Sequence, residues 1–328
     1  MDKGSRVANG GGTTDLGGGV HAIDTMMSGY TAITAGYLVL ADRPCLVETG
    51  TARSAPVVRD ALAALGLGPE DLATVVVTHI HLDHAGGVGD IAAAYPGAEV
   101  VVHEAGARHL VDPSRLMDSA RRVYGSLMDD VFGPLLPTPV ERVRAVAESG
   151  EVDLGGGRVL TTHYSPGHAR HHIGLLDSAT GDLYVGDAVG IYTAEADVLR
   201  PATPPPDFDL AVALDSLASF GALAPTRLLF SHYGPVDDVA GTLDRSADEL
   251  RLWVELTRAA RADRLDLDHA VALVQERTAQ RYAALGADPD LTEKFEALNS
   301  VAANIVGINR WLDRVEGRTH EFGDAAPA

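Results

Sequence analysis

The chain has 328 residues, 46% of them hydrophobic, and a formal net charge of −20 at pH 7. This length fits one large domain, or one domain with an extension, and the apolar content is enough for a substantial core. The acidic charge excludes nucleic-acid binding through a general basic surface and docking on an anionic membrane. The sequence has no apolar run of the roughly 18 residues that a membrane span needs.

The cysteine content and the first residues bear on the compartment. Cys45 is the one cysteine and lies in an apolar stretch, so we expect a small buried side chain and no internal disulfide. Residues 1–18 are rich in Gly, Ser and Thr and lack the apolar region of a signal peptide. They predict a disordered tail, and we expect a cytoplasmic protein.

The first part of the chain predicts strands followed by a helix. Residues 20–40 alternate loosely between apolar and polar, which indicates two antiparallel strands, and 45–48 predicts a third. Residues 54–65 carry an apolar stripe at helical spacing, and Gly66 follows as a cap. The order is typical of a chain that alternates between sheet and helix.

Four candidate metal ligands stand within six residues, directly after an apolar β-branched strand predicted at 73–77. They are His79, His81, Asp83 and His84. Alternate side chains of an extended chain point the same way, so His79 and His81 can converge on one ion. The turn that follows directs Asp83 and His84 to another point. Imidazole and carboxylate together suit zinc, iron or manganese.

Three more candidate ligands each follow a short apolar strand and lie close to a glycine. They are His168, Asp187 and His232. His171 and His172 come shortly after the first of these and are interpreted as supporting groups or as the start of a strand.

The run from His79 to His84, followed by His168, Asp187 and His232 in that order, resembles the signature of the metallo-β-lactamase superfamily over about residues 19–240. The resemblance implies an α/β fold of the αβ/βα type, with two sheets packed face to face and helices outside. It also implies two divalent metal ions, with zinc favoured and iron or manganese as alternatives. One ion would be held by His79, His81 and His168, and the other by Asp83, His84 and His232, with Asp187 bridging them.

The resemblance assigns roles to further groups. Asp83 would orient a metal-bridging hydroxide, and Asp187 is a candidate proton donor to the leaving group. Tyr192 would donate to the substrate carbonyl, as a tyrosine does in the lactonase branch, with Tyr233 as the second candidate. The family usually has Asp at the position of Glu48, where it supports the site, and the role of the longer carboxylate stays open.

The function that the resemblance implies is that of a dinuclear metal-dependent hydrolase. Its substrate would be a small molecule with an ester, lactone or thioester bond, and the sequence does not choose among these three. One alternative is a mononuclear iron enzyme that oxidises a persulfide, which carries the same ligand run but uses only part of the set. The other is a non-catalytic metal-binding protein on the same fold.

Three segments remain. Residues 105–140 predict a helical insertion over the active-site face, in which Tyr124 and Met128 are candidates for substrate contact or for core packing. Residues 141–163 predict strands of a second, antiparallel sheet. Residues 241–328 predict a three-helix extension, in which the third helix is capped by Asp290 and carries an apolar stripe that continues to Ile305. That extension either packs on the sandwich or mediates a homodimer, or it helps to form the substrate pocket, as a helical tail does in the glyoxalase II branch.

Overall fold

The computed structural model describes residues 12–125, 128–317 and 319. These residues form two compact units. The first runs up to Tyr164 and also includes Ile173–Tyr184, and the second combines Ser165–His172 with the chain from Val185 onward. This partition differs from the predicted division at residue 240, because it places the later ligand loops with the C-terminal helices.

The first unit contains a seven-stranded sheet whose strands follow one another in chain order. The first four strands are antiparallel, and the pairings from the fourth to the seventh are parallel. The central strands are β-branched and fully buried, as parallel strands covered on both faces should be. The strands are β1 (Thr13–Asp15), β2 (Val20–Asp24), β3 (Ala35–Val39), β4 (Cys45–Val47), β5 (Thr74–Val76), β6 (Glu99–His103) and β7 (Val143–Val146).

Helices of the first unit connect these strands. The helices are α1 (Ala55–Ala64), α2 (Leu82–Ala85), α3 (Val88–Ala94), α4 (Glu104–Val111) and α5 (Ser114–Tyr124). The segment predicted as a helical insertion, 105–140, contains two helices, α4 and α5, and a π-helical turn at Met128–Phe132, and a 3-10 turn at Val140–Arg142 follows at its end.

A second, antiparallel layer completes the sandwich. Its strands pair in the order β8 (Ser149–Asp153), β9 (Val159–Tyr164), β10 (Ile173–Asp177) and β11 (Asp182–Gly186). Tyr37 of β3 meets Tyr184 of β11 edge to face, with ring centroids 5.4 Å apart, and both side chains are buried. The predicted sandwich of two sheets is therefore confirmed.

Two predictions for this unit are wrong. Residues 13–15, assigned to the disordered tail, form β1, which pairs with β2 through its backbone although its side chains are exposed; residues 1–11 lie outside the described residues. The segment 141–147 does not join the antiparallel sheet, because β7 pairs parallel with β6. Arg142 donates to the carbonyls of Ala92, Tyr95 and Ala98, which holds β7 beside β6.

The second unit consists of two hairpins and a helical region. β12 (Ile191–Thr193) pairs with β13 (Val198–Arg200), and β14 (Arg227–Phe230) pairs with β15 (Gly234–Val236). None of the described helices is both long enough and apolar enough to span a membrane. The helices are α6 (Leu210–Ala222), α7 (Val239–Ala262), α8 (Leu267–Thr278), α9 (Ala283–Gly286), α10 (Pro289–Leu298) and α11 (Val301–Glu316).

The C-terminal region is helical as predicted, but its helices divide differently. The predicted third helix is broken at Asn299, because Ser300 caps a new helix by accepting from the Ala303 N–H at 3.1 Å. The region has its own buried core. The fully buried Trp253 donates to the Tyr282 hydroxyl at 3.0 Å, and that hydroxyl donates to Glu249 at 2.5 Å.

Candidate metal centre

The contiguous ligands lie where β5 gives way to α2. His81 is the N-cap residue of α2, and its own backbone is extended. His79 Nε2 lies 3.0 Å from His81 Nδ1, so the two side chains converge as the alternation predicted. His79 Nδ1 contacts the Thr78 hydroxyl at 3.0 Å, which orients the ring so that Nε2 faces His81.

Asp83 and His84 lie on the first turn of α2. His84 Nε2 is 3.7 Å from Asp83 Oδ2, and His84 Nδ1 is 3.3 Å from Glu48 Oε2. A carboxylate favours a proton on the nitrogen that faces it, so Nε2 of His84 is left with its lone pair toward Asp83.

Glu48 is itself fixed in place. Its Oε1 accepts from the Thr78 backbone N–H at 2.9 Å, and its side chain is buried. Its backbone adopts a φ of 65°, a left-handed conformation that a non-glycine residue keeps only where its surroundings impose it. From this position the longer carboxylate brings Oε2 within 3.3 Å of His84 Nδ1, a geometry that favours a supporting role for Glu48.

The second unit holds the dispersed ligands. The two carboxylate oxygens of Asp187 face different imidazoles: Oδ2 lies 3.5 Å from His168 Nε2, and Oδ1 lies 3.4 Å from His232 Nε2. His168 Nδ1 lies 3.0 Å from the Ala202 carbonyl oxygen. A carbonyl only accepts, so this nitrogen carries the proton and Nε2 is the one available to a metal.

These donors fit a divalent ion. Two ligands bound at about 2.0–2.2 Å to a tetrahedral ion lie about 3.3–3.5 Å from each other, which is the spacing around Asp187. Five of the predicted ligands are at most 6% exposed, and a cation would stabilise a buried carboxylate that is surrounded by imidazole nitrogens. All seven predicted ligands belong to His/Asp groups that could hold a metal ion: His79, His81, Asp83, His84, His168, Asp187 and His232.

His172 supports Asp187, a contact that the sequence did not specify. The Asp187 backbone N–H donates to His172 Nε2 at 3.2 Å, which places the proton of this ring on Nδ1. That Nδ1 donates to the Ser165 hydroxyl at 2.8 Å. Of the two interpretations given to His172, the structure agrees with a supporting group. In the sequence, the only indication of this role is that His172 stands close to His168.

The Tyr192 hydroxyl already has a hydrogen-bond partner within the protein. Its hydroxyl donates to Asp197 at 3.3 Å, and burial together with the Asp197 charge raises the pKa of the phenol. Its backbone N–H donates to the His232 carbonyl, and its own carbonyl accepts from the Tyr233 N–H at 2.9 Å. The backbone of Tyr192 thus holds the His232 loop, and its predicted role toward substrate stays a prediction.

The helical insertion carries an aromatic pair, one ring of which lies within reach of the Asp83 charge. The rings of Tyr124 and Phe132 lie 4.7 Å apart, and 43% of Tyr124 is exposed. Although this residue is partly exposed, desolvation of the phenol by the surrounding protein atoms, together with the Asp83 charge, raises the pKa of Tyr124 to about 12. Arg53 donates to the Asp129 carbonyl at 3.0 and 2.8 Å, which fixes the turn that carries Phe132. Met128, the other candidate here, is buried and belongs to the core.

A pocket in the second unit opens beside two of its ligands. It contains about 230 Å³ of empty space, part of it open to solvent, and His168 and Asp187 line it together with Phe208. Ser246 and Leu250 of α7 also line it. The C-terminal helical region therefore contributes side chains to the surroundings of the ligands.

Comparisons with known proteins agree with this picture. The sequence model of the Metallo-beta-lactamase superfamily matches residues 31–232. An archaeal relative, metallo-beta-lactamase fold-containing protein ST1585 of Sulfurisphaera tokodaii, is 33% identical over 165 residues, which are 49% of this chain and 60% of that protein. The chain thus spans less than two thirds of that relative's length.

Solved structures show the same fold. The structure of ST1585 from Sulfolobus tokodaii has a TM-score of 0.61 at 27% identity, covering 70% of this chain and 85% of that one. The metallo-beta-lactamase family protein TTHA1429 of Thermus thermophilus has a TM-score of 0.63 at 23% identity, covering 92% of this chain and 95% of that one. With the ligand loops, the sandwich and the family match all in agreement, this chain belongs to the metallo-β-lactamase superfamily.

Proposed function

We propose that this protein is a dinuclear metal-dependent hydrolase that cleaves a small ester, lactone or thioester. The observation that carries the proposal is the orientation of the histidines. Nδ1 of His79 contacts the Thr78 hydroxyl and Nδ1 of His168 contacts the Ala202 carbonyl, while Nδ1 of His84 lies 3.3 Å from a Glu48 carboxylate oxygen. In each of these histidines Nε2 therefore faces the other predicted ligands. Such partners fix the tautomer and the orientation that a metal ligand needs.

More distant relatives support hydrolysis of an acyl bond. They include a hydroxyacylglutathione hydrolase of Synechococcus (30% identical over 163 residues) and an acyl-coenzyme A thioesterase of Gallus gallus (33% over 132). An N-acyl homoserine lactonase of Agrobacterium fabrum is 30% identical over 117 residues. Each match spans half of that relative or less, so the substrate class is part of the proposal.

The ligand set defines what the chain would contribute to the reaction. Two divalent ions, when bound, activate water for attack and polarise the substrate carbonyl. The carboxylate of Asp83 lies beside His84 and would orient the attacking water. Asp187, whose two oxygens face different histidines, would help to hold the metal, and would accept a proton from the attacking water and pass it to the leaving group.

The aromatic pair on the insertion bears on the substrate. Tyr124 and Phe132 present a partly exposed apolar surface, and the Asp83 charge acts on the Tyr124 phenol. Such a surface would pack against an apolar acyl chain or leaving group. We therefore expect a substrate with a hydrophobic arm next to the scissile bond.

A substrate panel tests the proposal. The purified chain is stripped with a chelator, reloaded with zinc, iron or manganese, and assayed with lactones, aryl esters and acyl-thioesters of graded chain length. We expect turnover of one class that is lost on stripping and restored on reloading. Turnover that survives complete removal of metal would contradict the proposal, and a single bound iron without hydrolysis would favour persulfide oxidation instead.

A further inference from the structure

We propose that Asn304, in the first turn of α11, is a positioning residue for the metal ligand His168 and acts through the single peptide unit between Ala202 and Thr203. The inference rests on the proposed function, because it concerns how one ligand of that centre is held. It assigns the C-terminal helical region a part in metal binding, through a residue that is not itself a ligand.

Two hydrogen bonds hold the opposite sides of one peptide group, the one between Ala202 and Thr203. The Ala202 carbonyl oxygen accepts from His168 Nδ1 at 3.0 Å, and the Thr203 N–H donates to Asn304 Oδ1 at 2.8 Å. This oxygen and this N–H belong to the same planar peptide and point to opposite sides of the chain. The Asn304 side chain therefore fixes the direction in which the Ala202 oxygen faces His168.

Further hydrogen bonds prevent this peptide from rotating. The Thr203 hydroxyl donates to Asn304, at 2.8 Å to Oδ1 and 3.1 Å to the backbone oxygen. On the other side of Ala202, Asn299 Nδ2 donates to the Pro201 carbonyl at 3.2 Å, and Asn304 Nδ2 donates to Asn299 Oδ1 at 2.9 Å. Thr203 is fully buried and Asn304 is 3% exposed, so these bonds act where water does not compete.

The close approach of α11 to this loop is a separate observation. A Cβ atom on Gly307 would lie 1.7 Å from the Thr203 carbonyl oxygen, so only a residue without a side chain allows this contact. The backbone of α11 therefore packs directly on the loop, one turn after Asn304. The contact keeps α11 next to the loop, where the Thr203 N–H donates to Asn304 Oδ1.

The consequence concerns the metal ligand. While the Ala202 oxygen is held in place, His168 keeps its proton on Nδ1 and presents Nε2 toward Asp187. When Asn304 is replaced by Ala, the peptide loses the partner of its N–H and can rotate, so His168 loses its fixed tautomer and orientation. Removal of such outer partners typically weakens metal affinity about 10–100-fold.

The test is zinc affinity, measured by competition with a chromophoric chelator on the full-length, metal-stripped chain. We expect Asn304→Ala to weaken the binding of at least one zinc ion about 10–100-fold. Asn309→Ala is the matched control, because Asn309 lies on the same helix, is 8% exposed and accepts from Arg261 at 2.5 Å. We expect it to lower thermal stability and to leave zinc affinity at the wild-type value.

A second pair of variants keeps the test decisive if Asn304→Ala does not fold. Thr203→Ser retains the hydroxyl and should bind zinc as the wild type does, whereas Thr203→Val should show a smaller loss than Asn304→Ala. Wild-type affinity in both Asn304→Ala and Thr203→Val, or an equal loss in Asn309→Ala, would overturn the inference. A wild-type chain that binds no zinc, iron or manganese would instead overturn the proposed function.

Discussion

The two sets of candidate ligands differ in how the fold places them. His79, His81, Asp83 and His84 occupy one stretch between β5 and α2, so the backbone of a single strand-to-helix connection determines most of their geometry. His168, Asp187 and His232 come from three separate loops of the second unit, and each loop is held by residues distant in sequence. We infer that the contiguous set depends on local structure, and the dispersed set on packing.

The supporting contacts show the same difference. In the contiguous set, Thr78 adjoins His79, and more distant support comes from Glu48 at the His84 side chain and from Thr49, which donates to the His84 carbonyl at 2.8 Å. In the dispersed set, His168 depends on Ala202, and the Ser246 hydroxyl donates to the Val189 carbonyl at 2.8 Å in the loop that follows Asp187. The C-terminal helices thus act on the dispersed ligands without providing any ligand.

The largest effect is expected from removing a contiguous ligand. His81→Ala deletes the Nδ1 that meets His79 Nε2, and we expect it to abolish hydrolysis and lower the metal content while the chain stays folded. His269→Ala, at an exposed position on α8, is the control and should behave as the wild type does. Full activity in metal-replete His81→Ala would contradict the ligand assignment.

Glu48→Gln tests the distant support of the contiguous set. The amide can still accept from the Thr78 N–H but turns an NH₂ group toward His84 Nδ1, so it favours the wrong tautomer. We expect a loss of about 10–100-fold in metal affinity with little change in the melting temperature. Affinity equal to the wild type would show that Glu48 does not determine the His84 tautomer.

His172→Ala tests a support of the dispersed set. It leaves the Asp187 N–H without its imidazole acceptor, and we expect metal affinity to fall about tenfold. Ser165→Ala removes only the partner of His172 Nδ1 and should have a smaller effect. Competition titrations measure the metal affinity of both variants. If Ser165→Ala weakened metal binding as much as His172→Ala or more, His172 would not act through Asp187.

The smallest effect is expected at the aromatic pair. Tyr124→Ala removes the partly exposed ring that packs on Phe132, and we expect KM for long-chain substrates to rise about tenfold, or ~1.4 kcal/mol, with kcat nearly unchanged. Tyr124→Phe keeps the ring and should retain the wild-type KM. If Tyr124→Phe lowered kcat and left KM unchanged, the Tyr124 hydroxyl would take part in the reaction. The proposed role of the ring in substrate binding would then be contradicted.

This difference explains how much the sequence could predict. The ligand loops could be predicted from the sequence because each follows an apolar strand. The sandwich could be predicted from the family resemblance. The residues that support the ligands could not be predicted. Thr203 and Asn304, for example, are 101 residues apart, and neither residue type is distinctive at its position. The break at Asn299 was missed for a similar reason, since apolar residues continue at helical spacing on both sides and only the cap at Ser300 separates α10 from α11.

The most direct test of the account is elemental analysis of the purified wild-type chain, with the protein concentration determined independently. We predict about two zinc, iron or manganese ions per chain, as a dinuclear hydrolase requires. A chain that binds no divalent metal, even after incubation with excess zinc, iron and manganese, would contradict the central claim that this protein is a metal-dependent enzyme.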